Sequence, residues 1–154
     1  MRSELPDPIG GVLWFGTDDA NMTVFTPVYC CTDKVPVCYT RVDGADYITF
    51  SWNSAFWIFN WVANMVYPRY DLMIDDVRAT QTELETTFNE AQEGVEAAAA
   101  KLLEKDPAKA KAFLTNYTNM TAQSTFDTWK RLGEFLVVKY NDGVVKRMKN
   151  GQFE

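Results

Sequence analysis

The stretch that decides the fold is Phe50-Ser-Trp-Asn-Ser-Ala-Phe-Trp-Ile-Phe-Asn-Trp-Val-Ala-Asn-Met-Val-Tyr-Pro-Arg-Tyr70, where aromatic residues are crowded together. Ser54 stands where the N-cap of a helix is expected, and apolar residues follow it on almost every side of that helix. Because water cannot solvate such a surface, the sequence predicts a buried core helix. Polar residues and Pro68 interrupt the stretch, which is therefore shorter than the about 20 apolar residues of a membrane span.

The composition fits one compact domain over residues 1–154, with 47% apolar residues and a net charge of −6. The acidic balance is unfavourable for nucleic acid, whose phosphates require a basic surface. The short basic stretch of Lys146, Arg147 and Lys149 is expected to be a solvated tail. The chain has no histidine, which excludes triads that use His and most zinc sites. We predict no metal and no cofactor.

Three cysteines are close in sequence: Cys30, Cys31 and Cys38. Cys31 and Cys38 could close a short disulfide loop, and the alternative is that the thiols are free and packed in the core. A thiolate nucleophile needs a base or cation beside it, and only Lys34 and Arg41 are close in sequence. Packing is therefore the favoured role of these thiols.

Residues 11–50 are expected to form a small β element. Val12–Phe15 and Met22–Phe25 are apolar runs joined by a polar bend, which predicts a β-hairpin. A short extended piece over residues 35–40 and a strand over residues 47–50 are expected to follow.

Residues 54–141 are expected to be helical. After Pro68, which is either a kink or the first turn of a second helix, apolar residues from Met73 to Leu102 recur every three or four positions and predict one long helix. Asp106 and Pro107 predict the start of the next helix, and the polar residues 116–121 predict either a break or a bent junction in it. Asn141-Asp142-Gly143 ends the last helix. The predicted fold class is α+β, mostly helical, with a β-hairpin, an aromatic-rich buried helix and long antiparallel helices.

Few side chains suggest a binding site. The acidic residues Asp71, Asp75 and Asp76 are typical of the first turns of a helix, so we interpret them as structural. An aromatic cluster could wall a cavity, although core packing is the favoured role of its members, which are Trp52, Trp57, Phe59 and Trp61. Asn53 and Ser54, just before the aromatic helix, are the polar residues that we predict at the rim of a substrate pocket.

Several segments, in this order, resemble the carboxy-terminal part of the dipeptidase A family. They are Gly11-Val-Leu-Trp-Phe-Gly16, Thr26-Pro-Val-Tyr29, Ser54-Ala-Phe-Trp-Ile-Phe-Asn60 with Val62-Ala-Asn64, Trp129-Lys-Arg-Leu-Gly133 and Lys139-Tyr-Asn-Asp-Gly143. The resemblance implies an αββα N-terminal-nucleophile hydrolase fold, in which a cysteine at the mature amino terminus supplies both the thiol and its amino base. Such an enzyme hydrolyses dipeptides.

The cysteine that this resemblance implies has no counterpart in the chain. Met1 is not a cysteine, and Cys30, Cys31 and Cys38 fall in another part of the pattern. We therefore expect this chain to be the carboxy-terminal section of a longer dipeptidase, inactive without the missing catalytic half. Its β element is expected to self-associate through unpaired strand edges. The alternative is an autonomous helical module that binds a partner protein. The compartment stays open.

Overall fold

The computed structural model describes residues 2–153. The principal elements are α1 (Asp7–Gly10), β1 (Val12–Phe15), β2 (Thr26–Tyr29), α2 (Ala55–Val66), α3 (Tyr70–Leu103), α4 (Pro107–Tyr140), β3 (Met148–Lys149) and β4 (Gln152–Phe153). Short 3-10 turns lie at Val37–Tyr39, Val42–Gly44, Tyr67–Arg69 and Asn141–Gly143. The mostly helical fold, the small antiparallel hairpin near the amino terminus and the long helices are confirmed. Met1, which stands where the family resemblance would require a cysteine nucleophile, lies outside the described residues.

The first hairpin exists, but its second strand is not where the sequence predicted it. β1 pairs with Thr26–Tyr29, with Val12 opposite Tyr29 and Phe15 opposite Thr26. The predicted strand Met22–Phe25 belongs instead to the connecting loop, where Met22 and Val24 are buried in the main core. The Thr23 hydroxyl accepts a hydrogen bond from the Thr17 amide at 2.8 Å inside that loop. Core burial explains the apolar pattern of these residues without strand pairing.

The predictions for the rest of the β element are wrong. Residues 35–40 hold a 3-10 turn at Val37–Tyr39 instead of an extended piece. No strand forms at residues 47–50. Asp46 accepts hydrogen bonds from the Ile48 and Thr49 amides at 3.1 and 2.8 Å, and these close a turn. A side chain thus satisfies the amides that strand pairing would have used.

Helix α2 is buried along one face only, which corrects the prediction of a helix enclosed on every side. Its buried face carries Ile58, Phe59 and Val62, and Phe59 stacks on Trp129 of α4 with ring centroids 4.8 Å apart. The other side keeps Asn64 exposed and Trp57 half-buried. Pro68 lies in the 3-10 turn Tyr67–Arg69 between α2 and α3, so it belongs to a connection between two helices.

Helices α3 and α4 pack antiparallel. Ala99 near the end of α3 shares a cluster with Leu114 near the start of α4. At the opposite end, Lys139 of α4 donates to Asp76 of α3 at 2.8 Å. Helix α4 starts as predicted, because Asp106 caps it by accepting from the amides of residues 108 and 109.

The predicted break in α4 at residues 116–121 does not occur. The helix is continuous from Pro107 to Tyr140. Thr118 is buried and its hydroxyl accepts from the Tyr29 amide at 3.2 Å, while the Thr121 hydroxyl donates to the Tyr117 carbonyl at 3.1 Å. Thr118 thus contacts the hairpin and Thr121 bonds back to its own helix, so these polar residues are satisfied without ending α4.

Close packing joins α2 to α4. Gly133 of α4 faces the ring of Trp61, and a Cβ at position 133 would overlap carbon atoms of that ring. Beyond α4, the predicted solvated tail is largely exposed, with Arg147 and Lys149 at the surface, and it forms a second two-stranded hairpin of β3 and β4. None of the helices within residues 2–153 has the length and apolar character needed to span a membrane.

Candidate ligand-binding cleft

A cleft of about 480 Å³ opens between the end of β1, the turns of residues 38–47 and the start of α2. Aromatic rings form much of its wall, and polar groups lie among them. The aromatic residues are Phe15, Tyr39, Tyr47 and Phe56. The polar residues among them include Asp18, Arg41, Asp46 and Ser54. An apolar pocket with a few polar groups is the usual composition of a small-molecule site.

Asp46 organises one wall of the cleft. One of its carboxylate oxygens accepts the amides of Ile48 and Thr49, and the other accepts from Arg41 at 2.8 Å. The hydrogen bond from the Ile48 amide, then those of Thr49 and the charge of Arg41, hold the pKa of Asp46 below its usual value. Trp57 fixes the same turn to α2, since its indole N–H donates to the carbonyls of Asp46 and Thr49 at 2.9 and 2.7 Å.

Asn53, predicted at the pocket rim, lies beside the cleft and does not line it. Its side-chain amide donates to Asp43 Oδ2 at 2.8 Å, and Ser51 Oγ donates to the same oxygen at 2.7 Å. These two bonds lower the pKa of Asp43, whose backbone has a positive φ of 55°. Asn53 therefore holds the turn behind the cleft, and its role in substrate binding stays a prediction.

Ser54, the other predicted rim residue, does line the cleft. It occupies the N-cap position of α2, yet its side chain makes no capping hydrogen bond. The residue is only 5% exposed. The structure thus places one of the two predicted residues in the cleft wall, and its role in substrate binding stays a prediction.

The three thiols are free, so the disulfide alternative is wrong. Cys38 is buried at the cleft and its Sγ faces the Ala122 carbonyl at 4.0 Å. Burial raises the pKa of Cys38 to about 11, and burial likewise raises the pKa of Cys31. At neutral pH these two groups are thiols, which are poor nucleophiles.

The remaining candidates lie outside the cleft. Asp76 accepts from Lys139 and, at 2.8 Å, from the Tyr140 hydroxyl, and so joins α3 to α4. Asp71 and Asp75 are exposed on α3. Of the four aromatic residues considered as a cavity wall, Phe59 is in the core and none lines the cleft. Trp52 and Trp61 line a separate pocket of about 300 Å³ with Lys130 and Glu134. Over residues 2–153 we find no group of three or more carboxylates or thiols arranged to hold a metal ion.

The sequence analysis missed Asp18, Tyr39 and Arg41 as cleft residues. Asp18 has a positive φ of 64° and accepts from the Asn60 side chain of α2 at 3.2 Å. Burial raises the pKa of Tyr39 to about 12, and its hydroxyl pairs with Thr26 Oγ1 at 3.1 Å. The available signal was the acidic pair Asp18-Asp19 in the polar bend after β1.

The model of peptidase family C69 matches residues 1–83, and the chain belongs to this family. This is the dipeptidase A family of cysteine peptidases, so the resemblance is confirmed. All of the residues that line the cleft fall inside the match, whereas α4 lies beyond it. The similar segments at residues 129–133 and 139–143 are therefore not covered by the match. A search of curated proteins finds none that matches this chain.

Proposed function

We propose that this chain is the carboxy-terminal section of a dipeptidase and that its cleft is part of the substrate site. The observation that carries the proposal is that the family match covers every residue lining the cleft. The aromatic walls and scattered polar groups suit a small peptide better than a long polymer, since the cleft volume of about 480 Å³ is that of a small-molecule site.

The nucleophile in this proposal is a cysteine at the amino terminus of a preceding segment. Its thiolate attacks the peptide carbonyl, the thioester forms as the amine leaves, and water then releases the acid. The α-amino group of the same cysteine accepts the thiol proton, because its unperturbed pKa of about 8 suits a base near neutral pH. The raised pKa values of Cys31 and Cys38, together with the position of Cys30 outside the cleft lining, support assigning the reaction to a thiol outside this chain.

The test compares the 154-residue chain with the longer protein encoded with its upstream sequence, using unblocked dipeptides as substrates. We expect turnover by the longer protein and none by the 154-residue chain. Replacing the first cysteine of the longer protein by Ala should abolish turnover. Cys30→Ala is the matched control and should leave turnover unchanged, because Cys30 is exposed and does not line the cleft. Turnover by the 154-residue chain alone, or loss of turnover in Cys30→Ala, would contradict the proposal.

The second candidate is an autonomous module that binds a partner protein. Phe50 and Trp52 support it, because their rings pack edge to face at 4.8 Å and both stay about half exposed, at 48% and 49%. Trp57 and Trp61, which would have favoured it most if exposed, are half-buried. The coding sequence upstream of Met1 separates the two candidates, since a contiguous segment led by a cysteine supports only the dipeptidase.

We also propose that the 154-residue chain self-associates through the β1–β2 hairpin. The hairpin has only two strands, and its Leu13, which is 54% exposed, lines a surface groove together with the exposed Val35. Unpaired edges next to apolar side chains favour pairing with another chain. Sedimentation should show association that rises with concentration and weakens in Leu13→Lys. A monomer at every concentration would contradict this proposal.

A further inference from the structure

A second pocket, of about 300 Å³, lies apart from the cleft and is lined by Trp52, Trp61, Lys130 and Glu134. None of these residues lines the cleft. Lys130 and Glu134 also lie beyond residues 1–83, which the family model matches. The chemistry of this pocket therefore does not depend on the proposed dipeptidase.

Packing holds the two indole rings of this pocket in fixed orientations. Trp61 lies so close to Gly133 of α4 that no Cβ fits between them. Trp52 meets Trp61 edge to face, with ring centroids 5.2 Å apart and ring planes at 86°, and Phe50 packs on Trp52 at 4.8 Å. Trp52 nevertheless stays 49% exposed. A large ring that is both fixed and exposed can bind an apolar surface with little loss of conformational entropy.

The polar side of the pocket supplies one positive and one negative side chain. Lys130 and Glu134 lie about one turn apart on α4, yet within residues 2–153 neither of them forms an ion pair. Lys before Glu is also the less favourable order for such a pair on a helix. The ammonium group is therefore available to donate hydrogen bonds to a ligand, and the carboxylate is available to accept them.

These groups suit a neutral ligand that is apolar on one face and carries hydroxyl groups at its edge. A quaternary ammonium ion would suit the rings but would be repelled by Lys130, and an anion would be repelled by Glu134. A neutral sugar meets neither repulsion, because its hydroxyls both donate and accept hydrogen bonds. In β-glucopyranose all of the ring hydroxyls are equatorial, so the axial C–H groups form apolar faces that can stack on an indole. The volume of about 300 Å³, at the lower end of small-molecule sites, suits a single sugar ring.

We propose that the pocket of Trp52, Trp61, Lys130 and Glu134 binds a neutral saccharide through a β-glucopyranose ring. The sugar ring stacks on Trp52, the more exposed of the two indoles, and Trp61 holds Trp52 in place. Lys130 and Glu134 form hydrogen bonds with the sugar hydroxyls. Stacking contributes most of the affinity, and the two charged side chains select a ligand that has hydroxyl groups and no net charge.

The experiment titrates the ¹⁵N-labelled 154-residue chain with cellobiose, a neutral disaccharide of β-linked glucose, and follows the indole N–H signals of Trp52 and Trp61. We expect both signals to shift, with a dissociation constant of about 1 mM. Two other probes are choline, a quaternary ammonium ion, and phenylalanine, whose two charges could pair with Lys130 and Glu134. Each should bind more weakly than cellobiose by about tenfold or more. Binding of either probe as tightly as cellobiose, or the absence of any shift with cellobiose, would overturn the inference.

Variants of the pocket separate stacking from hydrogen bonding. Trp52→Ala should weaken cellobiose binding about tenfold, measured on the Trp61 signal, because the stacking surface is lost. Lys130→Met and Glu134→Gln should each weaken it about fivefold, the effect of one lost hydrogen bond. Phe25→Ala is the matched control and should leave the affinity unchanged, because it removes a ring that is 40% exposed and lines neither the pocket nor the cleft.

Circular dichroism checks that each variant is folded, and if Trp52→Ala fails to fold, the two substitutions on α4 decide the result. Unchanged affinity in a folded Trp52→Ala, unchanged affinity in both α4 variants, or an equal loss in Phe25→Ala would contradict the saccharide site. Turnover by the longer protein is a separate measurement, so its failure would affect the dipeptidase proposal and leave this binding result standing.

Discussion

Residues 30–53 and the layer formed by α2, α3 and α4 are held in place by different interactions. In the first region, carboxylates of Asp43 and Asp46 accept hydrogen bonds from nearby backbone and side-chain groups, and many apolar side chains stay exposed. In the helical layer, apolar residues are buried and rings stack closely, as Phe59 does on Trp129. Because burial contributes most of the stability of a fold, we expect the cleft wall to open at a lower free energy than the helices do.

The largest effect should come from filling the contact between α2 and α4. Gly133→Ala puts a methyl group into the ring of Trp61, and we expect a loss of about 3 kcal/mol in the free energy of unfolding, typical of strong overpacking. Urea denaturation monitored by circular dichroism measures the change.

Gly94→Ala on α3 is the matched control for this substitution. An added Cβ at position 94 has no neighbour within 4 Å, so the gain in helix propensity should raise stability by about 0.5 to 1 kcal/mol. If both variants change stability by the same amount and sign, close packing at Gly133 does not hold the helices together.

The next effect tests how the helices hold the loop before β2. Gln81 of α3 is buried, and its amide donates to the Thr23 carbonyl at 2.5 Å and to the Asn21 carbonyl at 3.2 Å. Gln81→Ala leaves these acceptors without their donor, and we expect a loss of about 1 to 3 kcal/mol in the free energy of unfolding. The exposed Gln123→Ala should change it by less than about 0.5 kcal/mol. Equal losses in the two variants would contradict a specific role for Gln81.

A smaller, local effect should appear in acid. Because the native pKa of Asp46 is below the unfolded value of 3.8, its bonds stabilise the turn above that pH and are lost as the pH falls through the lower native pKa. The indole N–H signal of Trp57, which is bonded to this turn, should shift over that range. Asp46→Asn should remove the Asp46 component of the titration, and an unchanged profile in that variant would assign the transition to other groups, such as Asp43.

The smallest perturbation is chemical labelling of the thiols. Cys30 is exposed and Cys38 is buried with a raised pKa, so iodoacetamide at neutral pH should modify Cys30 first and Cys38 only after unfolding. Mass spectrometry of the labelled peptides measures the order. Rapid labelling of native Cys38 would mean that the cleft wall beside it opens readily, and it would weaken the assignment of the nucleophile to another segment.

The sequence predicted the elements whose signals are local. Asp106-Pro107 started α4 and Asn141-Asp142-Gly143 followed its end because capping and turn preferences act over a few residues. The second strand was misplaced because the loop residues Met22 and Val24 are buried as strand residues would be. An apolar pattern indicates that a segment is buried. Whether a buried segment is a strand depends on whether another strand pairs with it.

The cleft was predicted only in part. Ser54 was found because it stands at a recognisable helix start, but its place in a cleft wall depends on neighbours that are distant in sequence. Asp18 and Tyr39 line the same cleft as Ser54 because the loop after β1 and the 3-10 turn at Val37–Tyr39 both contact α2, and no spacing in the sequence encodes that arrangement. Asn53 is adjacent to Ser54 in sequence, yet its side chain bonds to Asp43 and does not line the cleft.

The buried threonines of α4 determine how far along its axis this helix sits. Thr118 accepts from the Tyr29 amide, and it is 3.2 Å from the Thr32 hydroxyl. A helix held by apolar contacts alone could slide by one turn with a modest loss of stability. Here such a slide would leave these buried hydrogen-bonding groups without partners, at a cost of about 1 to 3 kcal/mol for each. The hydrogen bonds of these threonines thus fix the register of α4 against the hairpin, so that the hairpin that shapes the cleft contacts one particular turn of α4.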